Sequence, residues 1–277
     1  MKIEKPFLRQ YDDNEWEFVY PSSIDNENVF DLFYEGVEFL DYNDKEAERI
    51  FKSLIKNHPY HIDAYNHLSI AFRNQNKTFE SLLTAEKAYT LGKECFPKDF
   101  DYRIGKISWG WLENRPFLRA CQIYGLECQY AKNYNSALKL YQENLSFNEN
   151  DNQGIRYLLL ETLLVLKEYN QAEKLIEKYE DDFSIEFKYG LVSLYVLKGD
   201  YNSADNHLIE AVQTNQHFIK EVSKQKHIKP EPFRISNEPY FDTGIQIGSI
   251  QQAFDYWERN KSFYKTKKLI EYYKSKL

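Results

Sequence analysis

Cysteine is nearly absent: Cys95, Cys121 and Cys128 are the only three in 277 residues. An odd, small number without framework spacing excludes a disulfide scaffold and predicts free thiols in a reducing compartment, taken here as the cytoplasm. Glycine (10) and proline (8) are also scarce, which argues against an all-β chain built on many tight turns. No uncharged apolar run approaches the ~18–20 residues that a membrane span requires. The opening MKIEKPFLRQYDDNEWEF has no apolar stretch of the kind a secretory leader needs. Basic residues are outnumbered 36 to 43, for a net charge of -7, so the clustered phosphate contacts of a nucleic-acid binder are not expected.

Catalytic signatures are missing as well. The chain has no Gly-rich phosphate loop, no Gly-x-Ser-x-Gly, no His-Glu-x-x-His and no Cys-x-x-Cys. His58 and His61 lie close together in HPYH, but a third and fourth ligand at metal spacing are lacking, so the stretch reads as a turn. Cys121 and Cys128, seven apart on one helix face, read as small hydrophobes. Asp181-Asp182 reads as the capping end of a loop. No enzyme activity, cofactor or metal is expected.

What the chain does have is repetition. KNYNSALKLY from Lys132, KEYNQAEKLI from Lys167 and GDYNSADNHL from Gly199 share Tyr-x-x-Ala, with Ala137, Ala172 and Ala204 spaced 35 and 32 residues apart. A period near ~34 is that of a helix–turn–helix unit. Around Ala137 stand Gly125, twelve residues before, and Tyr141, four after. Small residues at the first two positions let two helices approach to ~8–10 Å, and the bulky one fills the remaining space. Ala204 is framed by Leu208 and Ala211, and Ala172 by Leu160 and Ile176. Upstream, Gly36, Phe39, Ala47, Phe51 and Pro59 make a further copy, and Ser69, Phe72, Ser81, Ala85 and Ala88 another, 34 residues on.

The chain thereby resembles the tetratricopeptide-repeat family. WGWLENRPFLRA (Trp109–Ala120) and NDNQGIR (Asn150–Arg156) further resemble blocks of a bacterial subgroup of that family with no assigned function. The resemblance implies an all-α fold, a right-handed superhelical solenoid of helix–turn–helix units. Residues 1–27 are then an N-terminal arm, expected to be irregular or a short helix, with Ser22, Ser23 and Asp25 offering caps to the first helix. Residues 28–216 hold five repeats, with an insertion at about 98–114. Residues 217–277 hold a proline-containing loop (Lys229–Gly248), a degenerate sixth repeat and a capping helix at about Ser262–Lys276. In the WGWLENRPFLRA stretch, Pro116 opens a helix, Asn114 caps it, and Trp109 and Trp111 pack over the junction of repeats two and three.

In such a solenoid the first helix of each repeat lines a concave groove. Groove positions expected here are Asp63, Asn66, Ile70 and Arg73; Arg119, Gln122, Leu126 and Gln129; Tyr157, Glu161 and Leu164; and Glu186, Tyr189 and Ser193. That surface fits an extended peptide, with amide side chains pairing its backbone and Arg119 taking a carboxylate. Some family members clamp a C-terminal carboxylate with a Lys-Asn-Asn-Lys-Arg set; Asn66, Arg73 and Arg119 supply only fragments of it. The first helix presents Phe30, Phe33, Tyr34 and Val37, apolar nearly all round, for cover by the arm, by a partner or by a second copy in a homodimer. The expected function is a non-catalytic scaffold binding a protein or peptide segment. A self-associating structural or regulatory subunit is the alternative, and an enzyme using Arg115, Arg119 and Arg156 the third reading.

Overall fold

A computed structural model describes residues 4–231 and 245–277. Thirteen helices and one two-stranded sheet form among the described residues. Five helix pairs follow the repeat frame: α1 (Glu27–Phe39) with α2 (Asp44–Asn57), α3 (Ile62–Asn74) with α4 (Thr78–Lys93), α5 (Arg115–Tyr130) with α6 (Tyr134–Phe147), α7 (Ile155–Leu166) with α8 (Tyr169–Lys178), and α9 (Ile185–Lys198) with α10 (Tyr201–Thr214). Then come α11 (Phe218–Ser223), α12 (Ile250–Tyr264) and α13 (Lys267–Lys274). The fold class is all-α, of helix–turn–helix repeats.

Local chemistry explains the boundaries. Asn43, Asn133 and Asp200 each stand before the second helix of a pair and accept a backbone N–H from its first turn. Such caps contribute ~1 kcal/mol each. The first helix is capped by Asn26, whose side chain accepts from Val29 N, rather than by Ser22, Ser23 or Asp25. Within four pairs the connecting turn carries a left-handed residue: Asn76 (φ 61), Lys132 (φ 61), Lys167 (φ 63) and Gly199 (φ 89). One reversal of the backbone is thus reused four times, at a steric cost that only Gly199 escapes.

The small–small–bulky frame is the packing itself. Ala47, Ala85, Ala137, Ala172 and Ala204 have no exposed surface. A Cβ on Gly36 would meet the Phe51 ring at 2.7 Å, and one on Gly125 would meet Tyr141 closer still. In repeat two both small positions are serines: Ser69 Oγ donates to Ser81 O (2.9 Å) and Ser81 Oγ donates to Ser69 O (2.8 Å). Two buried hydroxyls are satisfied at the point of closest helix approach.

Chain packing divides the molecule into two units, residues 1–156 and 157–277. In the first, the N-terminal arm departs from expectation. It forms an antiparallel hairpin of β1 (Phe7–Asp12) and β2 (Glu15–Val19), with Leu8 opposite Phe18 and Arg9 opposite Glu17. Alternation of side chains explains it: Leu8, Trp16 and Phe18 turn inward and join Phe100, Phe117 and Phe147 in one core cluster. The strand edges are paired too, since Leu8 N donates to Cys95 O (3.0 Å) and Trp16 N to Lys106 O (2.9 Å). The inserted stretch supplies that second partner and ends in a 3-10 turn, Leu112–Asn114.

Asn114 does not cap α5 with its side chain. Its amide reaches the hairpin instead: Oδ1 accepts from Phe18 N (2.9 Å), and Nδ2 donates to Trp16 O (3.0 Å) and Ser108 O (3.0 Å). Trp109 packs against the same core, and Trp111 lies 4.7 Å from the Tyr11 ring.

In the second unit the end of the chain folds back, and α13 packs on α9 and α11. Tyr256 and Tyr264 hydroxyls pair at 2.8 Å, and Ser193 Oγ pairs with Tyr273 Oη at 2.9 Å. The single terminal helix expected over Ser262–Lys276 is broken at Lys265–Thr266, and the backbone is already non-helical at Asn260. Of the expected loop Lys229–Gly248, residues 232–244 lie outside the described residues.

Candidate functional site

Between the first helices of consecutive repeats, charge pairs replace part of the expected open surface. Arg119 Nε donates to Asp63 Oδ1 at 2.9 Å, and Arg73 Nε donates to Glu127 Oε1 at 2.9 Å. In both pairs a second guanidinium nitrogen reaches the other carboxylate oxygen. These forks tie α3 to α5 at two levels. Arg119, expected to await a partner's carboxylate, already holds one from its own chain. Asn66 is fully buried between the two helices, with its amide on Asp63 Oδ1 (3.0 Å) and Pro116 O (2.8 Å). It is a joint, not a surface residue.

The remaining expected groove residues separate in the same way. Gln122 Oε1 accepts from Gln153 at 2.8 Å, and Gln129 Oε1 accepts from the Tyr141 hydroxyl at 2.9 Å. In the second unit Tyr189 has no exposed surface and donates to Asn215 O at 2.7 Å, with Phe218 of α11 and Tyr273 of α13 packed against its ring. Ser193 is equally buried. Glu161 is buried under Asn260 (2.7 Å) and Arg259 (3.2 Å). Tyr157 is half-buried, its ring edge-on to Phe187 at 5.7 Å. Helical periodicity placed all of these on one face; the chain's own later segments cover much of it.

What stays open is a cleft of about 530 Å³ in the first unit. One wall is α1, where Phe30 and Tyr34, one turn apart, are 44% and 61% exposed. Phe33 lies between and behind them, buried, with its ring stacked on His61 at 5.3 Å. Val37 is half-buried and contributes to the α1–α2 core. The opposite wall is the 3-10 turn and the start of α5, bringing Leu112, Glu113, Arg115 and Pro116. The floor is Tyr20, Ile24, His61, Asp63 and Arg119, with Asp25 at the edge. Phe30, Phe33, Tyr34, Arg115 and Arg119 were singled out from sequence. Glu113 carried no signal of its own, and Asp25 was read only as a helix cap; Tyr20 and Asp25 reach the cleft in the segment that follows the hairpin, and Glu113 in the 3-10 turn.

The electrostatics of the floor are set by burial. Burial alone pushes the Asp63 carboxyl up, but the His67 and Arg119 charges and the Arg119 and Asn66 hydrogen bonds outweigh it and hold the group below its ordinary value. Burial lowers His61 to about 4, against the opposing pull of Asp63, so the ring is neutral at pH 7. Its Nδ1 accepts from Ala64 N at 3.1 Å, capping α3. The HPYH stretch is therefore a helix start. Burial raises the Tyr20 phenol well above its usual range, and its hydroxyl oxygen is buried without a hydrogen-bond partner.

Arg115 Nε donates to Trp109 O at 3.1 Å and its guanidinium lies over the Trp109 ring at 5.1 Å. Arg156 stands away from the cleft, paired with Asp151 at 2.8 Å. The three arginines do not converge. Among the described residues, no group of three or more His, Cys, Asp or Glu is arranged to hold a metal ion, and no helix is long and apolar enough to cross a membrane. Ser184, not the Asp181-Asp182 pair, caps α9, while Asp182 Oδ1 accepts from Ser184 N at 2.8 Å.

Solved structures similar to this chain agree with this architecture. A family model described as "Transcriptional repressor TCF25" matches residues 18–277. No curated protein sequence matches the chain. Among solved structures, the MamA RS-1 ArsTM double mutant superposes with a TM-score of 0.52 at 14% identity, covering 68% of this chain and 94% of that one. A tetratricopeptide repeat protein from Parabacteroides merdae ATCC 43184 superposes with a TM-score of 0.51 at 18% identity, covering 66% of this chain and 65% of that one. At such identities the likeness is one of fold: the tetratricopeptide-type helical solenoid.

Proposed function

The chain belongs to the family described as transcriptional repressor TCF25, and on that premise we propose that it is a non-catalytic interaction scaffold holding a peptide or protein segment in the cleft of its first unit. The observation that carries this reading is the cleft itself. About 530 Å³ lies within the range of built ligand sites, roughly 300–1,000 Å³. Its α1 wall keeps two aromatic side chains in solvent, where burial against a partner would gain most. The Asp63 carboxyl at its floor is held below its ordinary range by the His67 and Arg119 charges and by its hydrogen bonds, which suits recognition better than acid catalysis. Repression, on this reading, works through protein contacts, in keeping with a net charge of -7. The three unpaired, buried cysteines suit the reducing interior of the cell.

Proximity crosslinking in cells with wild-type chain and with Phe30→Ala/Tyr34→Ala tests the scaffold. Loss of a specific set of crosslinked proteins is expected from the double variant. An unchanged set would sink the cleft as the docking place. Nucleic-acid contact is checked by mobility shift at low salt, where no retardation is expected.

A second reading draws on the same exposed pair: Phe30 and Tyr34 as the contact between two copies. Sedimentation equilibrium decides it. A concentration-dependent mass abolished by Tyr34→Ala favours self-association, and a monomer at all concentrations removes it.

A further inference from the structure

We infer that the cleft receives a lysine or arginine side chain from a partner peptide. The inference rests on the scaffold reading above and adds the chemistry of the occupant. The charges lining the cleft decide its sign. Arg119 and Asp63 neutralise one another in a two-pronged pair, and His61 is neutral at pH 7. The rest are the carboxylates of Asp25 and Glu113 against one guanidinium, Arg115. Arg115 is committed to the Trp109 carbonyl and ring. Asp25 and Glu113 are exposed and, among the described residues, enter no ion pair. The mouth is therefore net negative on a chain that is itself net negative, and it draws in cations.

The walls fit the same guest. Phe30 and Tyr34 offer aromatic faces at helical spacing, and an ammonium or guanidinium is attracted to the negative face of such rings. The methylene stem of a lysine or arginine has Ile24 and Phe33 to lie against while its charged end meets polar groups. An acidic side chain would instead face Asp25 and Glu113, and an apolar one would leave both carboxylates without a counter-charge.

The test uses four fluorescein-labelled peptides, GSLXLSG with X as lysine, arginine, norleucine or glutamate, titrated with the full chain and read by fluorescence polarisation. The lysine and arginine peptides are expected to bind about tenfold tighter than norleucine, with glutamate weakest. Asp25→Asn/Glu113→Gln, two surface changes that leave the helical circular dichroism intact, should erase most of that preference. Phe30→Ala/Tyr34→Ala should weaken all binding. If norleucine binds as well as lysine and both are lost in the aromatic variant, the cation inference falls and the scaffold stands. If glutamate binds best, the sign is wrong. If no peptide binds, the inference is overturned, and the scaffold is then judged by the crosslinking result alone.

Discussion

Asn114 shows how a single amide can decide whether a segment belongs to the fold. It has no exposed surface and serves three backbone groups, two of them on β2. Asn114→Ala leaves the Phe18 N–H and the Trp16 carbonyl buried without it, a loss of about 3 kcal/mol by the usual penalty for unsatisfied groups. Urea denaturation is expected to show that loss, together with faster amide exchange confined to residues 7–19. His61 makes the second prediction at this scale. Its proton affinity in the fold is about pKa 4, against an ordinary 6.5. The unfolded chain therefore binds a proton that the folded chain refuses. Stability from this group is complete above pH 6.5 and falls as pH drops towards 4, by about 3 kcal/mol in total. His61→Asn keeps a capping acceptor and should flatten that part of the stability–pH curve. An unchanged curve would mean that the imidazole is not the titrating group.

Between elements, the two Arg–carboxylate forks and the left-handed turns are the parts most open to measurement. Glu127 is 3% exposed, so Arg73→Met strands a buried charge and should cost about 3 kcal/mol. Arg73→Met with Glu127→Met removes both charges and should recover most of it. No recovery would mean that the pair sets the spacing of α3 and α5 by more than charge. Lys132 and Lys167 occupy left-handed turns that Gly199 occupies without strain. Lys132→Gly is expected to be neutral or to stabilise by up to about 1 kcal/mol, the steric relief exceeding the entropy that glycine adds to the unfolded chain. A clear drop in Tm would argue that the lysine side chain is needed there. Elements of this kind were legible in the sequence: Gly125, Ala137 and Tyr141 sit in a spacing that only two crossing helices explain. The strands were not, because Trp16 and Phe18 pack on Phe96, Phe100 and Phe117, 78 to 99 residues away, beyond the reach of any local pattern. Tyr189 and Glu161 were assigned to an open face for the related reason that helical periodicity marks the face but not what later covers it.

For the molecule as a whole, the division at residues 156 and 157 predicts two separate responses to denaturant. Hydrogen exchange at rising urea is expected to release amides of 4–156 and of the described residues from 157 onward as two groups with different free energies. One common release would show that the units unfold together. The cleft lies entirely in the first group, so stabilisation by a bound peptide should appear there first. The hairpin has a different consequence, one of timing. It is made before most of the core it joins, which includes Phe117 and Phe147. At ~5–20 residues per second, synthesis from Val19 to Phe147 takes roughly 5–25 s. Throughout that interval the core that Trp16 and Phe18 enter is incomplete. The core around the hairpin is thus complete only once Phe147 has been made, and until then a chaperone that shields a nascent chain would find its substrate in Trp16 and Phe18.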